Sequence, residues 1–306
     1  MISELKWRYL DNLGPVLAHR RDRQPLAGEA ARVVAELNRN GIAMTSVAAL
    51  LRDPSCFSSL ETAVAELERL AADEIAAARQ AANRADGWKT YLLEFLGKHP
   101  VLDPQSVYAR FALQTEILRI ANGYFGMRTR LRTYNVWRNF ATKMAPRNSQ
   151  LWHRDPEDRY VLKGFVYLDD VGRGCGPITY AAGSHPKGGL KRAPAFTKTA
   201  GDKAKRSDDA QMAAVVPPER WIEGTGPKGT MVFADTRGYH KGGQATERDR
   251  LLYMCMFTSR ASRYPEGFQR PADFTVPAGI NREQISALSA EGRELRGLGK
   301  PNGGGV

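Results

Sequence analysis

Apolar side chains recur along this chain with two different periods. Over residues 1–130 they recur at helical spacing: Leu60, Val64 and Leu67 fall on one side of a segment rich in alanine, glutamate and arginine. Such a stripe is typical of a helix packed on a core. The helices predicted from this spacing span residues 29–37, 58–84 and 103–123, with a cap at Ser58 in the second and Asp103 and Pro104 opening the third.

From residue 131 the pattern changes to the alternation of β-strands. Residues 161–168 (VLKGFVYL) are the clearest example, rich in β-forming side chains. Turns that contain glycine, proline and aspartate separate the apolar segments. Short strands broken by such turns are typical of a β-sandwich or jelly roll. The predicted strands span residues 131–139, 161–168, 177–181, 229–234 and 251–258.

Together these patterns predict an α+β fold, in which a double-stranded β-helix (jelly-roll, cupin-like) core carries the N-terminal helices on its outer face. A jelly-roll sheet needs cover on that face, and amphipathic helices need an apolar surface. We therefore prefer one domain over residues 1–306 to a helical domain followed by a β domain. Its parts are the mainly helical residues 1–130, the core 131–260 with a polar, basic insertion at 186–226, and the C-terminal segment and tail 261–306.

The composition is that of an ordinary globular protein, with 42% hydrophobic and 25% charged residues among 306. No window approaches the roughly 18 apolar residues of a membrane span. The first ten residues contain no apolar stretch of the kind found in secretory signals. The three cysteines are odd in number and lack metal-type spacing, so we expect reduced thiols and a cytoplasmic protein.

The net charge of +12 is partly local. Seven basic residues and one acidic residue lie in the stretch 186–206, where Phe196 is the only aromatic residue. This composition argues against nucleic-acid binding, because a stacking platform for bases needs interleaved aromatic rings. An affinity for acidic small molecules is equally compatible with this charge.

Two histidines and one aspartate stand where a β-scaffold would bring them together. His153 and Asp155 are two residues apart, so both point to the same side of an extended chain, and Arg154 between them points away. His240 follows a second predicted strand. Two neutral imidazoles and one carboxylate form the ligand set of non-haem Fe(II) oxygenases. Taken alone, a His-x-Asp pair is more often an exposed surface pair, so its weight comes from the combination.

The motifs around this set follow one another in a characteristic order. A Cys-Gly-Pro-Ile-Thr-Tyr strand at 175–180 leads to a Gly-Ser-His turn ending at His185. Gly242 and Gly243 follow His240, and Arg250, ten residues after that histidine, opens a strand that ends in Phe-Thr-Ser at 257–259. Over residues 130–260 this order resembles the phytanoyl-CoA dioxygenase family of Fe(II)/2-oxoglutarate-dependent oxygenases.

The resemblance implies specific roles. His153, Asp155 and His240 correspond to the iron ligands, and Arg250 to the residue that pairs with the distal carboxylate of 2-oxoglutarate. Arg248 is a near rival, and a surface salt bridge is the alternative for Arg250.

The resemblance and the strand alternation also give expected roles to five further residues. Thr179 and Gln150 are expected to touch the cosubstrate. Gly242 stands where the family has a small hydroxyl residue, so that contact is missing or replaced. His185 is expected to be a turn residue and not a ligand, and Trp152, which points opposite to His153, is expected to pack in the core.

The implied activity is that of a dioxygenase that uses Fe(II), 2-oxoglutarate and O2 and forms succinate and CO2. The carboxylate of Asp155 favours hydroxylation of a small organic substrate over halogenation, because related halogenases have a small residue there. Three alternatives stay open: a non-catalytic or sugar-binding jelly roll, a 2-oxoglutarate-independent cupin metalloenzyme, and a nucleic-acid oxygenase suggested by charge alone.

The basic stretch 186–206 bears on the substrate. It follows the Gly-Ser-His turn, where it would border the mouth of the active site and attract an acidic or carrier-linked substrate; a solvated spacer is the alternative. Neutralising Lys191, Arg192 and Lys198 is expected to raise the Michaelis constant for such a substrate.

Overall fold

The computed structural model describes residues 4–22, 24–84, 89–190, 192–197, 205–264 and 266–289. The α-helices within these ranges are α1 (Glu4–Lys6), α2 (Leu13–Asp22), α3 (Gly28–Asn40), α4 (Val47–Leu50), α5 (Ser55–Leu70), α6 (Ala72–Ala82), α7 (Val107–Ala112), α8 (Thr115–Phe125), α9 (Asp209–Ala213) and α10 (Arg282–Leu288). The strands are β1 (Ile42–Ser46), β2 (Leu92–Glu94), β3 (Arg130–Asn139), β4 (Leu162–Tyr167), β5 (Ile178–Ala181), β6 (Trp221–Glu223), β7 (Thr230–Asp235), β8 (His240–Gly242) and β9 (Arg250–Thr258).

The strands form two antiparallel sheets that face each other. In the larger sheet the strand order is β1-β7-β4-β9-β3-β2, and in the smaller it is β6-β5-β8. The side chains of β9 alternate between two cores. Tyr253 and Phe257 pack with the helices on the outer face, whereas Leu252 and Met254 turn into the space between the sheets and meet Ile178 from β5. This arrangement confirms the predicted jelly-roll core with helices on its outer face.

Helix α7 shows how the outer layer is attached. The Tyr253 hydroxyl donates a hydrogen bond to the backbone carbonyl of Tyr108 at 2.6 Å, and the Tyr253 ring meets Phe111 edge-on at 5.4 Å. The hydroxyl thereby finds a partner inside an apolar contact, as a buried tyrosine requires.

Two predicted helices are each interrupted. The segment predicted as 58–84 is α5 followed by α6, and it begins at Ser55, where the backbone N–H donates to the Asp53 carboxylate at 2.9 Å. The prediction of a cap at Ser58 was therefore wrong. The segment predicted as 103–123 is α7 followed by α8, and it ends at Gly126, where the backbone takes a φ of 66° that favours glycine.

Four strands were not predicted. β1 lies within the part of the chain expected to be helical, and β2, β6 and β8 have only three residues each. A segment that short carries no alternation that could be recognised. β1 pairs with β7, which follows it by nearly 190 residues, so tertiary pairing defines this strand.

Two other sequence predictions concern membrane-spanning helices and cysteine thiols. None of the helices that the structure describes is both long and apolar enough to cross a bilayer. Cys56, Cys175 and Cys255 are free thiols, and the latter two are buried.

A buried carboxyl at the end of β7 ties the helical layer to the chain that leads to His240. Asp235 accepts a hydrogen bond from the Tyr124 hydroxyl of α8 at 2.6 Å, and the backbone N–H groups of Val161 and Arg237 donate to its other oxygen, each at 3.1 Å. Burial raises the pKa of Asp235 to about 6, although these three donors favour the ionised form.

We predict a pH-dependent stability difference between the wild type and Asp235→Asn. A carboxyl whose pKa is raised by folding stabilises the fold at low pH, and this contribution is lost as the pH rises through the folded-state value. Between pH 4 and pH 7 the unfolding free energy of the wild type should therefore fall by about 2 to 3 kcal/mol relative to the variant. Urea unfolding at each pH measures the difference, and a constant difference would contradict the assignment.

Candidate metal centre

Backbone pairing places the three predicted ligand residues side by side. His153 and His240 lie directly opposite each other, and their backbones exchange two hydrogen bonds of 2.9 and 3.1 Å. Directly opposed residues project from the same face. Asp155 follows by two positions and is fixed by a 2.9 Å hydrogen bond from its backbone N–H to the carbonyl of Thr236. The His153 segment is extended and forms isolated bridges instead of a regular strand.

The side chains converge on one point. Nε2 of His153 lies 3.8 Å from Oδ1 of Asp155, and Nε2 of His240 lies 3.8 Å from Oδ2. All three ligand atoms lie within 4.8 Å of one another, and all three residues are buried. This is the three-residue group that the sequence predicted.

Both imidazoles have the tautomer that a metal requires. Nδ1 of His153 lies 2.8 Å from the carbonyl oxygen of Leu151, and Nδ1 of His240 lies 3.1 Å from that of Gly238. A carbonyl only accepts, so each Nδ1 carries the proton and each Nε2 presents its lone pair. Burial lowers the pKa of both histidines, most strongly that of His153, which keeps the rings neutral.

The carboxylate is held in its ionised form. Burial alone would raise the pKa of Asp155, but the ammonium of Lys163 holds it below its ordinary value. Nζ of Lys163 lies 2.6 Å from Oδ2 of Asp155, and both side chains are about one-tenth exposed. In turn, burial would lower the pKa of Lys163, and the carboxylates of Asp155 and Glu157 raise it.

The role of Lys163 was not predicted, although the sequence contains a signal for it. In VLKGFVYL the lysine shares the inward face with Phe165 and Tyr167, where an apolar side chain is expected. A charged residue inside such a strand requires a buried partner.

The metal group opens into a cavity of about 100 Å³. Arg250, at the start of β9, lines the cavity and is 5% exposed. Its Nε and Nη1 atoms are buried without a hydrogen-bond partner among the described residues, and no described carboxylate pairs with it. The alternative of a surface salt bridge was therefore wrong. The cavity is also lined by Lys89, Leu92, Trp137, Asn139, Ser149, Tyr167, Ile178, Gly242 and Leu252.

This cavity suits a small carboxylate beside a metal. Burial lowers the pKa of Arg250, but its ordinary value is so high that the guanidinium stays charged. A buried cation without an anion is costly, and its planar fork of donors matches a carboxylate. A Cβ at Gly242 would lie 3.8 Å from Nη2 of Arg250, so glycine offers no hydroxyl contact there and leaves the guanidinium accessible.

Two residues that were expected to contact the cosubstrate, Thr179 and Gln150, do not line this cavity. Thr179 pairs with Lys241, while its neighbours Ile178 and Tyr180 pair with Gly242 and His240. Thr179 therefore lies on the face turned away from the metal group, and Ile178 lines the cavity instead. The predicted cavity-facing position was therefore wrong by one residue along β5.

Gln150 is also occupied elsewhere. Its Oε1 accepts a hydrogen bond from the backbone N–H of Arg147 at 3.1 Å, which closes the short 3-10 turn Asn148–Gln150. The neighbouring Ser149 lines the cavity in its place.

The remaining histidine and tryptophan behave as structural residues. His185 is buried outside the metal group, with Nε2 3.1 Å from the carbonyl oxygen of Asn38. Trp152 is buried against Trp221, with ring centroids 4.8 Å apart, and donates from Nε1 to Asp209 at 2.7 Å. The rival Arg248 is exposed and does not line the cavity.

The C-terminal end of the basic stretch lies next to the metal group. Ser207 exchanges two backbone hydrogen bonds with Trp152, of 2.9 and 3.0 Å, next to His153. Arg206 is buried there, and its charge contributes to lowering the pKa values of His153 and His240. Lys191 and Lys198, part of the prediction on substrate attraction, lie outside the described residues, as does Lys203.

Comparison with known proteins shows the fold. No protein-family model and no curated protein matches the sequence. The epimerase SnoN, solved in complex with Fe3+, alpha ketoglutarate and nogalamycin RO, superposes with a TM-score of 0.52 at 19% identity, covering 82% of this chain and 91% of that chain. EctD from S. alaskensis in its apoform gives 0.52 at 18%, covering 87% and 88%, and AviO1 from Streptomyces viridochromogenes Tue57 gives 0.50 at 18%, covering 78% and 99%. The chain therefore shares its jelly-roll fold with these proteins.

The ion pair between Lys163 and Asp155 predicts how the variant Lys163→Met will behave. Without the ammonium, the carboxylate of Asp155 is buried and uncompensated, which should lower the unfolding free energy of the metal-free protein by about 3 kcal/mol or more. A divalent cation would then supply the missing charge, so Co(II) should raise the melting temperature of the variant more than that of the wild type. Calorimetric melting with and without Co(II) measures both effects.

Two controls separate this from a general loss of stability. Lys143 is exposed, so Lys143→Met should melt like the wild type. In Lys163→Met/Asp155→Asn the unpaired charge is also removed, and the metal-free stability should largely return. Equal melting of Lys163→Met and the wild type without metal would contradict the prediction.

Proposed function

We propose that this chain is a non-haem Fe(II)/2-oxoglutarate-dependent dioxygenase that acts on a small organic substrate. The observation that carries the proposal is that one cavity contains the side chains of His153, Asp155 and His240 together with the buried guanidinium of Arg250, which has no ion-pair partner among the described residues. Two nitrogen donors and one oxygen donor on one side suit a metal with open positions. A second cation suited to a carboxylate is what a 2-oxo diacid requires.

Each residue has a defined task in this proposal. His153, Asp155 and His240 hold Fe(II), and Arg250 binds the distal carboxylate of 2-oxoglutarate. When bound, Fe(II) and 2-oxoglutarate supply oxidation of the substrate by O2, with succinate and CO2 as coproducts. The carbonyls of Leu151 and Gly238 keep the rings oriented.

The remaining cavity wall controls water. Leu92, Phe165, Ile178 and Leu252 form its apolar part. Excluding water strengthens the pairing of Arg250 with a carboxylate, because charges attract more strongly at low dielectric.

The reaction type, the family, the domain organisation and the substrate class are also proposed. We infer that the reaction is a hydroxylation because Asp155 is present, although the shared fold also accommodates an epimerase. The motif order supports membership of the phytanoyl-CoA dioxygenase-like group, and the two cores joined along β9 support a single domain over 1–306. An acidic or carrier-linked substrate is supported by Arg206 and Lys89, which both lie near the metal group.

Arg250, which has no ion-pair partner in the described part of the chain, favours this function over a cupin metalloenzyme that needs no 2-oxoglutarate and over a non-catalytic jelly roll. Neither alternative accounts for a buried guanidinium beside the metal donors.

Succinate release tests the proposal directly. The purified protein supplied with Fe(II), 2-oxoglutarate and O2 should form succinate, slowly even without the organic substrate. His153→Ala should abolish both succinate formation and Fe(II) binding under anaerobic conditions, because one of three ligands is lost. The exposed His99 offers a matched control, and His99→Ala should keep both. Absence of iron binding and of succinate in the wild type would refute the proposal.

Arg250→Met should separate cosubstrate binding from metal binding. Loss of a buried, charged, two-pronged hydrogen bond costs about 3 kcal/mol, so the Michaelis constant for 2-oxoglutarate should rise about a hundredfold. Fe(II) affinity without 2-oxoglutarate should change little. Arg248→Met, which removes the same charge two residues away, should have no such effect, and equal constants in the two variants would disprove the role of Arg250.

A further inference from the structure

A second and larger cavity lies behind the metal-binding segment. It has a volume of about 480 Å³ and shares no lining residue with the metal cavity. One wall begins at Pro156, directly after Asp155, and another is formed by the Gly-Ser-His turn with Ser184 and His185. Arg154, which alternates away from His153 and Asp155, points to this side.

Three arginines that line this cavity have no ion-pair partner among the described residues: Arg154, Arg237 and Arg263. Arg154 lies 3.9 Å above the ring of Tyr239 and donates to the carbonyl of Ser184 at 2.8 Å. Such stacking and bonding hold a guanidinium in one orientation and leave its charge uncompensated.

The other two guanidinium groups are similarly available. Arg237 donates from Nη1 to the backbone carbonyl of Asp155 at 2.7 Å, and its Nε is buried without a hydrogen-bond partner in the described part of the chain. Arg263 is exposed, and no described residue bonds to its guanidinium. Three like charges around one cavity repel one another unless an anion lies between them.

The two acidic residues that line the cavity, Glu157 and Asp158, form no ion pair with these arginines among the described residues. Asp158 already accepts hydrogen bonds from Nε1 of Trp7 at 3.0 Å and from the backbone N–H groups of Arg159 and Ser259 at 2.6 and 2.7 Å. Glu157 makes no ion pair within the described residues, and Oε2 of its carboxyl group is buried there without a hydrogen-bond partner.

We propose that this cavity, lined by Arg154, Arg237 and Arg263, is a binding site for a small organic oxyanion, a phosphate or a carboxylate. Planar guanidinium forks match both groups and bind them in pairs of hydrogen bonds. The volume lies within the range of about 300–1,000 Å³ that is usual for small-molecule sites. Trp7 and Tyr264 add aromatic surface for the organic part of the ligand.

This cavity is separate from the metal cavity, but its lining contacts the segment that carries two of the proposed iron ligands. Arg237 bonds the backbone of Asp155, and Arg154 lies between two of the proposed iron ligands. A ligand bound here would therefore rest on the segment that positions the metal. Anion binding to the metal-free protein tests the site without any reference to catalysis.

Titration calorimetry on the metal-free protein tests the proposal, with pyrophosphate and citrate as probes in a low-salt buffer without phosphate. One of the two probes should bind saturably at one site. Arg154→Gln and Arg263→Gln should each weaken binding about tenfold or more, and the double variant should abolish it, because each removes a charged hydrogen bond. Preference for pyrophosphate indicates a phosphate ligand, and preference for citrate a carboxylate.

Two control variants establish whether the anion binds in this cavity. Arg39→Gln removes the same charge from an exposed position on α3 and should bind like the wild type. Arg250→Gln removes the cation of the metal cavity and should also retain binding. Absence of binding to the wild type, equal weakening in Arg39→Gln, or loss confined to Arg250→Gln would overturn the proposal. Melting curves of every variant establish that it is folded.

Discussion

The backbone pairing of His153 with His240 is the constraint on which the site depends. These residues are 87 positions apart in the chain, yet two hydrogen bonds between their backbones fix them opposite each other. A slip of one residue would turn both imidazoles to the other face. The larger sheet and its helical cover hold this pairing in place, since Asp235 ends β7 and is anchored to Tyr124 of α8 five residues before His240. The fold thereby determines which face receives the metal donors.

Burial then sets the charges of the site. Desolvation keeps His153 and His240 neutral, whereas the same effect on Asp155 is outweighed by Lys163. The ammonium of Lys163 compensates the carboxylate where no metal is bound, and Arg250 keeps a positive charge at the other side of the same cavity. The two cations differ in their partners: Lys163 pairs with Asp155, whereas Arg250 pairs with no carboxylate among the described residues. That difference supports a structural task for Lys163 and the binding task proposed for Arg250.

Much of this could be predicted from sequence, for physical reasons. Alternation within VLKGFVYL and 251–258 is long enough to define strands, and a two-residue spacing places His153 and Asp155 on one face. Thr179 was assigned to the wrong face because a four-residue strand gives no internal check on register. β1 was missed because its partner is distant in sequence. The cluster of Arg154, Arg237 and Arg263 could not be predicted from the sequence because three separate loops bring these residues together.

The central claim is that one cavity binds both Fe(II) and 2-oxoglutarate. Visible absorption under anaerobic conditions tests it most directly, because a 2-oxo acid that chelates Fe(II) gives a charge-transfer band that neither component shows alone. The account predicts this band when Fe(II) and 2-oxoglutarate are both added, its loss in Asp155→Ala, and a requirement for much more 2-oxoglutarate in Arg250→Met. A protein that binds Fe(II) but gives no band at saturating 2-oxoglutarate would contradict the account.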